Sequence, residues 1–142
     1  MDNKLNCILL VDDDAPTNYL NEEIIRDVDC VDHVQIAETG KEALDYLASR
    51  GQFTTNGSIY PQPDLIFLDI NMPGMDGWEF LQEYEKLPPD QRGKMIIVML
   101  TTSLNPEDEL KAKASDGIAG FITKPLTREM VQDILERHFG VN

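Results

Sequence analysis

The sequence predicts an α/β fold, a (βα)5 doubly wound parallel sheet of five strands, and three observations carry that prediction. Short β-like runs alternate with longer segments of helical period, and the alternation repeats five times within 142 residues. The first, third and fourth β-like runs are nearly all apolar, as strands buried on both faces of a parallel sheet are. Four of the runs then stop at polar or turn-forming residues, in "LVDDDAP", "LDINMP", "MLTTS" and "FITKP".

The first strand reads Cys7–Val11, and Pro16–Val28 follows as a helix with an acid, Asp14, where a helix N-terminus favours one. The second strand is Val34–Ala37; Thr39 or Gly40 then opens a helix over Gly40–Ser49 through "KEALDYLA". The stretch "SRGQFTTNGSIYPQP" is polar and carries Gly and Pro, so it reads as an extended loop at about 50–63. Leu65–Leu68 is the third strand and Gly77–Lys86 the third helix, with Asp76 shaping the turn between them. Met95–Leu100 forms the fourth strand, and Asn105–Pro106 supply the cap and first turn of a helix over Pro106–Ser115. Gly120–Ile122 is the fifth strand, and Thr127 caps a last helix over Arg128–Phe139. At this length, with 42% hydrophobic residues, the chain reads as one domain over 1–142.

A net charge of -14 and a pI near 4.3 argue against nucleic acid or an anionic membrane as a partner, because those surfaces attract Lys and Arg. Cations and basic protein patches suit this chain better. The longest aliphatic run, Met95–Leu100, is far short of the ~20 residues of a membrane span. "MDNKLN" lacks the pattern of a signal peptide, so the chain reads as soluble and cytoplasmic. Cys7 and Cys30 each sit in or beside an apolar segment and read as two reduced thiols.

In a doubly wound sheet, ligands gather outside the carboxyl ends of the strands. There this sequence presents acids at Asp12, Asp13 and Asp69, hydroxyls at Thr101 and Thr102, and a cation at Lys124. Carboxylates so close repel, so either one is protonated or a cation sits among them. With no His or Cys at these strand ends, hard oxygen ligands favour Mg2+, with Mn2+ as the alternative, over zinc.

The acidic pair after strand one, "LDINMPGMDG" after strand three, Thr101 after strand four and Lys124–Pro125 after strand five stand in order. Together they resemble the receiver domain of two-component response regulators, the family of the single-domain chemotaxis regulators. The resemblance implies the flavodoxin-like strand order 2-1-3-4-5. It explains why a buried strand ends on a carboxylate: Asp69 is the nucleophile that takes a phosphoryl group. It further implies that Asp12, Asp13, Asp69 and Asn71 hold Mg2+, with Asn71 using its backbone carbonyl and Asp12 acting chiefly through water. Thr101 and Lys124 then meet the phosphoryl oxygens, Phe121 is the switch aromatic, and the Lys124–Pro125 bond is cis.

The implied partner is a sensor histidine kinase in a bacterial cytoplasm, with a histidine phosphotransfer protein, a downstream effector or a homodimer left open. Nothing that reads as an effector domain follows Phe139. Such a switch is not an enzyme on other substrates; it catalyses only its own phosphorylation and dephosphorylation. A haloacid-dehalogenase-like phosphatase would need a second Asp where this chain has Asn71, and "DDDAP" would repel the phosphate of a flavodoxin-like carrier. His33 and His138 are too isolated to suggest a metal site or a phosphorelay donor.

Overall fold

The computed structural model describes residues 4–48, 62–88, 96–102, 105–115 and 117–140. The strands are β1 (Leu5–Val11), β2 (Val31–Ala37), β3 (Leu65–Asp69), β4 (Ile96–Thr101) and β5 (Gly120–Thr123). The helices are α1 (Ala15–Val28), α2 (Gly40–Ala48), α3 (Gly77–Glu85), α4 (Pro106–Ala114) and α5 (Arg128–Phe139). All strands are parallel, in the order β2-β1-β3-β4-β5, as expected. The loop expected at about 50–63 falls almost wholly outside the described residues, as does Met95 at the start of the fourth strand.

Period-2 alternation splits the sheet's side chains into two cores. On one face Ile8, Leu10, Leu65, Phe67, Val98 and Leu100 pack with Ile25 of α1 and with Val131, Ile134 and Leu135 of α5. On the other, Leu9, Val11, Ile66, Leu68, Ile97 and Met99 pack with Leu44, Tyr46 and Leu47 of α2 and with Phe80 and Leu81 of α3. Every residue of β3 is buried, as the central strand of a sheet covered on both sides must be. Helix α4 differs: Ala112 is its one buried residue, and Leu110 is 68% exposed.

The helix starts follow local chemistry. Asp14 caps α1, accepting from the Thr17 N–H at 3.1 Å and from the Thr17 hydroxyl. Those bonds hold its carboxyl below the usual carboxylate range. Asp76 and Glu79 form a reciprocal capping box at α3, while Asn105 and Thr127 cap α4 and α5. Strand β2 begins three residues before the apolar run that announced it. Asp32 is exposed and His33 half-buried on this edge, and pairing with β1 (Leu5↔Val31, Cys7↔His33), not apolarity, makes them strand. Cys7 and Cys30 are both free and buried; burial pushes the Cys7 thiol up to about 11 and raises that of Cys30.

Candidate functional site

Register assembles the site. Val11 pairs with Leu68, so the next residues along two adjacent parallel strands are Asp12 and Asp69, at the carboxyl end of the sheet. Asp69 pairs with Leu100, which places Thr101 one residue beyond it, and Thr101 in turn pairs with Thr123, the residue before Lys124. Four positions scattered between 12 and 124 in sequence thus meet at one end of the sheet. The pleat also sorts them. Asp69 continues the stripe of Leu65 and Phe67 that faces α1 and α5, whereas Thr101 continues that of Ile97 and Met99. Phe121, the register partner of Met99, lies half-buried against the same core as Met99.

Asp12 and Asp69 are buried, while Asp13 is exposed at the mouth. One carboxylate oxygen from each of the three lies within 4.8 Å of the others. Lys124 Nζ stands between the two buried acids, 2.6 Å from Asp12 Oδ2 and 3.3 Å from Asp69 Oδ1. Burial, then the neighbouring Asp12 charge, raises the Asp69 carboxyl above its ordinary value, while Lys124 pulls the other way. Burial pulls the Lys124 ammonium down, but its hydrogen bond to Asp12 and the charge of Asp69 outweigh that and leave it raised. Three clustered carboxylates with one open to solvent fit a hard divalent cation that keeps some of its water. Asn71 is exposed in the loop between β3 and α3, two residues beyond Asp69.

The backbone around Asp69 is tightly held. Ile70 N–H donates to the Leu100 carbonyl at 3.2 Å, and Gly77 N–H donates to the Ile70 carbonyl at 2.8 Å. A Cβ on Gly77 would stand 2.8 Å from the Asp69 carbonyl oxygen and 2.9 Å from Ile70 Cα, so this position admits only glycine without a shift of backbone. Lys124 N–H donates to the Thr101 carbonyl at 2.7 Å, and the Lys124–Pro125 bond is cis, as the resemblance implied.

Three features of this region have no clear signature in the sequence. Gly77 reads from sequence only as a helix start. Asn18 donates from Nδ2 to the Asp12 carbonyl at 2.8 Å; the available signal was an amide sharing the inner helical face with Asn21 and Ile25. Trp78 Nε1 donates to Asp108 Oδ1 at 3.0 Å, and Lys111 Nζ lies 4.9 Å from the indole centroid, tying α4 to the start of α3. No sequence spacing announces that bond, which joins residues 30 apart.

Comparison with known proteins agrees with this geometry. The family pattern described as "Response regulator receiver domain" matches residues 8–136. The chain is 34% identical over 118 residues to response regulator Rcp1 of Synechocystis, covering 82% of this chain and 75% of that protein. It is 29% identical to the chemotaxis protein CheY of Pseudomonas aeruginosa, covering 93% of this chain and 94% of that one. Among solved structures, a two-component response regulator from Cytophaga hutchinsonii superposes with a TM-score of 0.83 at 32% identity, covering 97% and 99% of the two chains. The Mn(2+)-bound form of response regulator Rcp1 does so with a TM-score of 0.75 at 30% identity, covering 96% and 97%. The chain belongs to the response regulator receiver domains of two-component systems, phosphoacceptor signalling switches that bind a divalent metal and interact with histidine kinases and effectors.

Proposed function

We propose that this chain, as a single receiver domain, accepts a phosphoryl group on Asp69 from a histidine kinase and thereby changes a partner-binding surface. The observation that carries the reading is the Lys124 bridge between the buried acids Asp12 and Asp69, with Asp13 beside it, at the sheet end where such chemistry is expected. An Asp69 carboxylate oxygen attacks the phosphorus of a phosphohistidine. The P–O bond forms as the P–N bond breaks, the electron pair leaves with the imidazole, and the product is an acyl phosphate. Lys124 and a cation favour the ionised form of Asp69 that this attack needs, against the burial that disfavours it.

Mg2+ is the cation the ligand set suits, with Mn2+ as substitute; Asp12, Asp13, Asp69 and the Asn71 carbonyl would hold it, and the bound ion would supply positive charge to offset that of the transferring group. Thr101, buried at the end of β4, would donate its hydroxyl to a phosphoryl oxygen, and Lys124 would turn from Asp69 to a second one. Phe121 shares the Thr101 face of the sheet, which supports it as the element that repacks. Catalysis is confined to the chain's own phosphorylation and dephosphorylation, in the cytoplasm. Output passes to an effector, a second copy of the chain or a histidine phosphotransfer protein.

The test is intact-mass analysis after incubation with acetyl phosphate and Mg2+. The wild type gains one phosphoryl group and Asp69→Asn gains none; full labelling of that variant would remove Asp69 from the role.

A further inference from the structure

Asn18 lies on the inner face of α1 and is only 2% exposed. Its Nδ2 donates to the Asp12 carbonyl at 2.8 Å, yet its Oδ1 has no hydrogen-bond partner, the one buried side-chain atom so placed among the described residues. One buried acceptor is satisfied and another is left unsatisfied, so the exchange leaves the number of unpaired buried acceptors unchanged. An apolar residue on this face would bring no polar group to bury. Hydrogen-bond stability therefore gives no reason for an amide here. Geometry does.

The Asp12 carbonyl belongs to the peptide unit that joins Asp12 to Asp13, a rigid plane running from one Cα to the next. Both carboxylates hang from the two ends of that plane. Asn18 pins it from the helix side. Asp12 N–H pins the preceding peptide by donating to the Ala37 carbonyl of β2 at 3.1 Å, and Asp14 N–H holds Asp12 Oδ1 at 2.9 Å. Of these, Asn18 is the one side-chain donor to the Asp12–Asp13 peptide itself. A small rotation of the plane would swing the Asp13 carboxylate away from Asp12 and Asp69, whose oxygens now gather within 4.8 Å. We infer that Asn18 is a positioning residue for phosphoryl transfer, setting the angle at which the Asp12 and Asp13 carboxylates meet the cation beside Asp69. The inference rests on the phosphoacceptor reading of Asp69.

Asn18→Leu tests it, because leucine fills similar space without a donor and without the orphaned oxygen. Three quantities are measured on the intact protein: metal-free melting temperature, Mg2+ affinity by calorimetric titration, and the rate of labelling by acetyl phosphate at matched metal saturation. We expect an unchanged or higher melting temperature and Mg2+ affinity weakened by about tenfold, the lower end of what loss of a group orienting metal ligands costs. Labelling slows by a similar factor with the adduct still on Asp69, and Asn18→Gln, which keeps an amide donor on a longer arm, recovers part of both losses. A Leu variant with wild-type affinity and labelling rate overturns the inference, and so does a lowered melting temperature with affinity intact. Should Asn18→Leu fail to fold, Asn18→Gln decides alone: affinity and rate equal to wild type despite the longer arm would remove the positional requirement. Failure of the wild type to be labelled at all would instead sink the Asp69 reading, while a weakened Mg2+ affinity in the variant would still show Asn18 orienting the acids.

Discussion

The centre of the sheet and its β5 edge are built to opposite specifications. All five residues of β3 are buried, and the strand delivers Asp69 to the site with its next peptide hydrogen-bonded to β4 and its carbonyl pressed against Gly77. On the edge, none of the four residues of β5 is fully buried, and neighbouring α4 buries only Ala112 and is tied to α3 through Trp78. Bond-making groups must be held to fractions of an ångström, which dense packing achieves. The partner-binding surface proposed to change on phosphorylation needs the reverse, a lightly packed element whose displacement costs little. The division between these regions runs between β4 and β5, along the pairs Thr101↔Thr123 and Met99↔Phe121.

Side-chain truncation is the severest way to break that contrast. Phe67→Ala in the centre should cost about 3–5 kcal/mol in urea unfolding, whereas Leu110→Ala on exposed α4 should stay within about 0.5 kcal/mol. Equal losses at the two positions would erase the distinction. Metal binding sharpens it next: Mg2+ at a hundredfold excess over its Kd should stabilise the fold by about 2.7 kcal/mol. Asp13→Ala should remove most of that gain and Leu110→Ala none of it, as read by thermal melts with and without Mg2+. A wild type that melts at the same temperature with and without the ion would dismiss the cation site. The smallest effect lies across the division itself. Thr101→Ala should still accept phosphate but show smaller phosphorylation-induced NMR shifts at Phe121 and along 106–115. Shifts matching wild type in size and direction would uncouple the edge from Thr101 while leaving Asp69 in its role.

Much of this was legible in order along the chain. Asp14, Asp76, Asn105 and Thr127 announce their helices because capping is decided by residues three or fewer positions apart. The acids at 12, 13 and 69 were legible because turn residues and carboxylates interrupt apolar runs where a strand must end. The start of strand β2 is not legible in the sequence, since Val31, Asp32 and His33 carry no apolar run and become strand only through their partner β1.

By itself, the sequence determined the alternation of elements, their caps, and which residue types stand at the strand ends, because each depends on neighbours within a few positions. Tertiary structure alone decided that Lys124 bridges Asp12 and Asp69, that Gly77 lies against the Asp69 carbonyl, that Asn18 grips the Asp12 peptide and that Trp78 holds α4. Those contacts are fixed by strand register and by the faces that helices turn inward, which are properties of the packed sheet and leave no local pattern in the chain.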